Sequence, residues 1–190
     1  MMIDPAAVAF DVDGVIADTM TLFLDIARDE FGISGISYDD MTCYILEECL
    51  DIAPAVITAI LDRILEGNYA VTLKPMDGAV GALARLSRFH NPLLFVTARS
   101  DAEVIDEWFR NVLPVDPDAF KVVATGTFEA KTAVLQQHRI RYFVEDRLET
   151  CFQVKSFGIE PVVYCQPWNR ERHPFIEVQN WSELTSMMAI

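Results

Sequence analysis

From about residue 75 onward the chain alternates short apolar runs with stretches of helical spacing. The runs fall at 93–97, 120–124, 142–145 and 161–164, and candidate helices occupy 77–89, 101–111, 130–138 and 148–157. Short runs that stay apolar without polar alternation are buried on both faces, and strands separated by helices join through right-handed crossovers into a parallel sheet. An apolar run at Ala6–Phe10, a last strand near 176–178 and a helix from about Trp181 carry the pattern to both ends of the chain. The fold class expected is α/β, a Rossmann-like parallel sheet flanked by helices.

Residues 18–70 break this alternation. Asp18 is placed as an N-cap, Leu22, Phe23, Ile26 and Ala27 recur at helical spacing, and Gly32 supplies a stop. Met41–Leu50 reads as a second helix; a third starts at Pro54, carries Ile57, Ile60, Leu61, Ile64 and Leu65, and stops at Gly67. The segment predicts a small all-helical cap over 15–75, inserted after strand 1 into a core built from 1–14 and 76–190, with hinges at Gly14 and Lys74-Pro75.

With 52% apolar residues in a chain of 190, disordered and low-complexity classes are excluded, and one compact domain with an insertion is the expected size. The net charge of −14 disfavours nucleic-acid polymers and anionic membranes as partners, although it leaves room for a small anion beside a local cation. Four Cys at 43, 49, 151 and 165 show no metal-type spacing, and neither a leader-like N-terminus nor a bilayer-length apolar run is seen. Together these point to a cytoplasmic, reduced protein whose Cys residues act as small hydrophobes.

In open α/β sheets ligands bind beyond the carboxyl ends of the strands. The polar residues there are Asp11 and Asp13 after the first strand, Thr97 and Arg99 after the second, and Glu145 and Asp146 after the fourth, while Lys131 opens a helix. Asp11–Gly14 alone could be a solvated Asp-Gly turn. Carboxylates converging from two strands repel one another unless a cation lies between them, and all-oxygen ligation suits Mg²⁺. Lys131, at the unfavourable end of a helix dipole, alone could be a solvated surface lysine, but beside such a cluster and a phosphate it would be both neutralised and useful. Ser100-Asp101-Ala102-Glu103 reads as a capping box that leaves Thr97 free. Arg99, Arg147 and Arg170 read as solvated arginines, with substrate contact as the alternative. Phe23, Phe31, Tyr38, Tyr44 and Tyr69 read as core aromatics, with base stacking as the alternative.

The ordered set Phe10-Asp11-Val12-Asp13-Gly14-Val15, Val96-Thr97-Ala98, Lys131 and Val144-Glu145-Asp146 resembles the haloacid dehalogenase superfamily of phosphotransferases. The resemblance implies that Asp11 is a nucleophile forming an aspartyl phosphate and that Asp13 is the acid and base. It further implies that Thr97, Ala98 and Lys131 hold the phosphoryl group. Mg²⁺ would lie on Asp11, the Asp13 carbonyl and an acid of the Glu145-Asp146 pair, with Asp146 favoured. Asp13 is similar to the phosphatase and mutase branches, which carry an acid at this position. The tail Val162 to Arg170 resembles small nucleotidases related to cytosolic pyrimidine deoxyribonucleotidases. The function implied is a Mg²⁺-dependent phosphomonoesterase acting on a small phosphorylated metabolite, preferably a nucleoside monophosphate. A sugar-phosphate phosphatase or phosphomutase, or a noncatalytic regulatory protein retaining the fold, are the alternatives.

Overall fold

The computed structural model describes residues 2–190. Its six strands are β1 (Val8–Phe10), β2 (Leu93–Thr97), β3 (Phe120–Ala124), β4 (Tyr142–Glu145), β5 (Glu160–Tyr164) and β6 (Ile176–Val178). They form one parallel sheet in the order β3-β2-β1-β4-β5-β6. The helices are α1 (Thr19–Phe31), α2 (Pro54–Glu66), α3 (Ala79–Leu86), α4 (Glu103–Val112), α5 (Lys131–Gln137), α6 (Leu148–Ser156) and α7 (Trp181–Ser186).

Because neighbouring residues of a strand face opposite ways, the apolar runs build two cores. Phe10, Phe95, Val144 and Val162 pack on one face with Leu83 of α3, Phe109 of α4 and Trp181 of α7. Ala9, Leu94, Val96 and Phe143 pack on the other with Leu135 of α5 and Val154 of α6. The result is a helix–sheet–helix sandwich of the expected class.

The chain winds outward from β1 through β2 and β3 on one side and from β4 through β5 and β6 on the other. This makes the gap between the carboxyl ends of β1 and β4 the switch point of the sheet. The ladder continues one step past β1, where Asp11 N donates to Val144 O at 2.8 Å, so Asp11 emerges beside Glu145.

Between β1 and α3 lie α1 and α2, packed on each other. Asp18 Oδ1 accepts from Thr21 N at 3.2 Å, and Gly32 ends α1 with φ 67°. Pro54 opens α2 and Gly67 ends it with φ 70°. The two ends of the segment meet: Asp18 N donates to Lys74 O at 2.9 Å and Met76 N to Ile16 O at 2.7 Å. The helix expected over Met41–Leu50 is not there; the stretch folds as turns around a short 3-10 helix, Leu46–Glu48. The residues it buries are Met41, Leu46 and Leu50. A separation of nine residues would set Met41 and Leu50 on opposite faces of an α-helix, so a helix could not bury both against one surface. The capping box expected at Ser100–Glu103 does not form either. Asp101 Oδ1 accepts from Glu103 N at 2.6 Å, a local turn that delays α4 to Glu103.

Candidate active site

Asp11 is the first residue past β1, and Lys131 the first of α5. Lys131 Nζ reaches Asp11 Oδ1 at 2.9 Å and Glu145 Oε2 at 2.9 Å, with the lysine wholly buried. The other Glu145 oxygen, Oε1, accepts from the main-chain N–H groups of Asp146 and Arg147, each at 3.0 Å. Both oxygens of Glu145 are thus committed, whereas Asp11 and Asp146 line a cavity of about 720 Å³ above the switch point.

Oxygens of Asp11, Glu145 and Asp146 lie within 4.8 Å of one another. Burial pushes the Asp11 carboxyl well above its ordinary value and the Glu145 charge adds to the rise, while Lys131 opposes it. Asp146 is likewise pushed up by burial, then by Glu145 and Asp11. Burial acts upward on Glu145 too, but Lys131 and the hydrogen bonds it accepts outweigh this and hold it below the usual glutamate range. For Lys131 burial would lower the pKa, yet Asp11 and Glu145 prevail and raise it. Ionised together, three acids against one ammonium would leave negative charge inside the protein. A hard divalent cation with oxygen ligands would neutralise it, so the donor set fits such an ion.

Asp13 lies two residues beyond Asp11 and is gripped from three directions. Arg99 Nη2 donates to Oδ1 at 2.7 Å, Arg99 Nε to Oδ2 at 3.0 Å, and Thr19 Oγ1 to Oδ1 at 2.6 Å. Burial would raise the Asp13 carboxyl, but Arg99 and then Thr19 outweigh it and hold it below the ordinary range. Arg99 is therefore not the solvated arginine expected: it is 5% exposed, and its Nη1 also points at Ile64 O near the end of α2, 3.5 Å away. Thr97 Oγ1 accepts from Arg99 N at 3.2 Å and faces Asp13 Oδ2 at 3.5 Å. Thr97 and Ala98 both line the cavity beside Asp11 and Lys131.

The remaining expectations divide. Arg170 is exposed and stands outside the cavity. Arg147 is half-buried, with its guanidinium 4.2 Å from the Phe128 ring centroid and 4.9 Å from that of Tyr44. Phe23 is wholly buried in the core, whereas Tyr44 lines the cavity. The cavity wall above the acids is apolar, with Met20, Leu61 and Leu65 joining Tyr44, Phe128 and Trp168. Sequence reasoning did not single out Phe128 or Trp168 as lining residues. Their signal was position, since each falls in the loop that follows a strand's carboxyl end, after β3 and after β5.

The turn after β5 braces the acids. Trp168 Nε1 donates to Asp146 Oδ2 at 2.9 Å, and Asn169 Nδ2 to the Asp146 carbonyl at 2.7 Å and that of Tyr164 at 2.9 Å. Gln166 Nε2 donates to Gly14 O at 2.6 Å. Gly14 has φ 76°, and a Cβ there would stand 2.3 Å from Asp146 Oδ2, so the turn and the carboxylate together require glycine.

Residues 5–190 match the model of a family described as 5' nucleotidase, deoxy (pyrimidine), cytosolic type C protein. The chain belongs to this family. The nucleotidase-family chain is accordingly a phosphatase-type hydrolase of the haloacid dehalogenase superfamily, which sets aside the noncatalytic alternative.

Solved structures share its fold at low identity. A haloacid dehalogenase-like hydrolase, SP0104 from Streptococcus pneumoniae, aligns with TM-score 0.62 at 14% identity, covering 97% of each chain. CbbY from Rhodobacter sphaeroides, in complex with phosphate, aligns with TM-score 0.55 at 16% identity, covering 97% of this chain and 96% of that one. A 2-haloacid dehalogenase from Pseudomonas syringae aligns with TM-score 0.52 at 14% identity, covering 98% of each. Comparison with curated proteins finds no match. Among the described residues no helix is long and apolar enough to cross a membrane.

Proposed function

We propose that the protein is a Mg²⁺-dependent phosphomonoesterase that works through an aspartyl phosphate on Asp11, with nucleoside monophosphates as preferred substrates. The observation that carries this reading is the pairing of Asp11 with Lys131 at 2.9 Å, on the floor of a cavity that Asp146 also lines. The nucleophile and a phosphate monoester are both anions, and a rate enhancement depends on fixed positive charge placed where they meet.

Asp11 attacks phosphorus as the bond to the ester oxygen breaks, and Asp13, ionised in the free site beside Arg99, relays the proton of a monoprotonated substrate phosphate to that leaving oxygen. In the second half Asp13, again ionised and held by Arg99 and Thr19, takes a proton from water as the water oxygen attacks phosphorus. The bond to Asp11 breaks, and inorganic phosphate leaves. Lys131 and Thr97, with the main-chain N–H of Ala98, bind the phosphoryl oxygens. Asp11, Asp146 and the Asp13 carbonyl would hold Mg²⁺, which supplies charge against the repulsion between nucleophile and substrate.

Residues 15–75 act as a cap over a core of 1–14 and 76–190. Its movement about Gly14 and Lys74-Pro75 admits substrate and then excludes water from the reacting phosphorus. The apolar wall contributed by Met20, Tyr44 and Leu61 from this segment suits the planar base of a leaving nucleoside. The family's description as cytosolic and the four free thiols support a reduced, cytoplasmic setting.

A related CbbY structure is described in complex with xylulose-1,5-bisphosphate. A second phosphate finds little support in this cavity. The two cationic side chains among its described lining residues, Arg99 and Lys131, are already paired with Asp13 and with Asp11 and Glu145. This favours monophosphates over bisphosphates such as that one.

The test is release of inorganic phosphate from a panel of phosphate monoesters, with and without Mg²⁺. Turnover of nucleoside monophosphates that chelator and Asp11→Asn each abolish is expected. Undiminished turnover in either condition overturns the reading.

A further inference from the structure

The Gln166-Pro167-Trp168-Asn169 turn has no part in the proposed chemistry, yet each of its polar side chains is spent on the loops that carry the acids. Gln166 is 3% exposed and bonds the Gly14 carbonyl; Asn169 is 2% exposed and bonds the carbonyls of Asp146 and Tyr164. Those contacts fix the turn against both sides of the switch point. Trp168 then stands with its indole N–H 2.9 Å from Asp146 Oδ2, while the Tyr38 ring lies against it with centroids 5.8 Å apart. Tyr38 is itself held, its hydroxyl donating to Gln166 Oε1 at 2.8 Å.

An indole N–H donates only, so it selects one carboxylate oxygen and one orientation of the side chain. Asp146 needs that selection. It is buried, and the Lys131 ammonium is paired with Asp11 and Glu145 rather than with it. Without a fixed donor, its carboxyl would be free to turn away from a cation.

We propose that Trp168 is a positioning residue for the metal. Through its indole N–H it holds the Asp146 carboxylate in one orientation, and so sets the affinity for Mg²⁺. This rests on the reading above that Asp146 is a metal ligand. It also explains how the Glu145-Asp146 pair divides its work, with Glu145 held by Lys131 and the following main-chain N–H groups while Asp146 is presented to the ion by the turn after β5.

The other two tryptophans serve as internal controls, because Trp108 Nε1 donates to Leu73 O and Trp181 Nε1 to Val15 O, each at 2.9 Å, and neither meets an acid. The first experiment uses the unaltered protein with ¹⁵N-labelled tryptophan, titrated with Mg²⁺ alone. The Trp168 indole resonance, assigned through its contact with the Tyr38 ring, is expected to move with saturable dependence on Mg²⁺ and further than the other two. The second compares Mg²⁺ binding by calorimetry between the unaltered protein and Trp168→Phe, which keeps the ring but loses the donor.

Loss of an outer partner of this kind weakens metal binding about 10- to 100-fold, and the melting temperature of the metal-free variant should stay close to that of the unaltered protein. Mg²⁺ affinity within about twofold in Trp168→Phe, or an unmoved Trp168 indole at saturating Mg²⁺, overturns this role while leaving the phosphatase reading intact. Absence of any Mg²⁺ binding to the unaltered protein overturns both. If Trp168→Phe does not fold, the indole titration decides alone.

Discussion

Replacing Lys131 with Met removes the ammonium that two buried carboxylates share while keeping nearly the same volume. Its Nζ stands 2.9 Å from Asp11 Oδ1 and from Glu145 Oε2, with the lysine side chain 1% exposed. Leaving a buried charge without its partner costs about 3–5 kcal/mol. The variant can limit that cost by binding one more proton on the cluster's carboxyls than the unaltered protein does. Against an unfolded aspartate of pKa about 3.9, holding that proton costs about 1.4 kcal/mol for each pH unit above it, hence about 4 kcal/mol at pH 7 and about 1.5 kcal/mol at pH 5. A carboxyl whose folded pKa is raised favours the folded state at low pH and loses that contribution as pH rises, so the variant's deficit grows with pH. For a chain of this length about 2–4 °C of melting temperature corresponds to 1 kcal/mol. Thermal melts in chelator should therefore show Lys131→Met lowered by about 8–16 °C at pH 7 and by about 3–6 °C at pH 5. A deficit below about 2 °C at pH 7, or one equal at the two pH values, refutes the view that this lysine neutralises the buried acids.

Three further outcomes follow from the same geometry. Arg99→Leu frees the Asp13 carboxyl, whose side chain is 32% exposed, and should cost about 2 kcal/mol, less than a fully buried pair. Because Asp13 is held low, its contribution is present above the ordinary aspartate pKa and lost as pH falls; melting differences from the unaltered protein should shrink below about pH 4, and the acid limb of the pH–rate profile should move upward. Gly14→Ala sets a Cβ 2.3 Å from Asp146 Oδ2 at φ 76°. Melting should register about 1–2 kcal/mol of backbone strain, while the phosphatase rate falls about tenfold or more as Asp146 is displaced. Steady-state kinetics should give a ketose bisphosphate a kcat/KM about 10- to 100-fold below that of a nucleoside monophosphate, since its second phosphate meets no uncommitted cation.

Much of the sheet was legible because β1, β2 and β4 are apolar runs closed by a polar residue, Asp11, Thr97 and Glu145. The runs at 93–97 and 120–124 coincide with β2 and β3. The same logic brought Asp11, Thr97, Lys131 and Asp146 to one rim, since in a parallel sheet the strands' carboxyl ends share an edge. What the pattern could not supply was partnership across the chain. Arg99 finds Asp13 over a separation of 86 residues, and a lone arginine after a strand looks solvated until the fold closes around it. The turn at Gln166–Asn169 suggested a relative, but its target, Asp146, lies on another loop. Met41–Leu50 misled because its composition suits a helix, whereas the surface it covers asks for Met41, Leu46 and Leu50 on one side, which turns can deliver and an α-helix cannot.

In the proposed mechanism phosphoryl transfer passes through the Asp11 carboxylate. Turnover of a nucleoside monophosphate with Mg²⁺, quenched with borohydride and digested, would convert an aspartyl phosphate to homoserine, which mass spectrometry locates by position. The covalent mechanism gives homoserine at position 11 and none in Asp11→Asn. Rapid phosphate release with Asp11 unmodified, or modification at another residue, would contradict it.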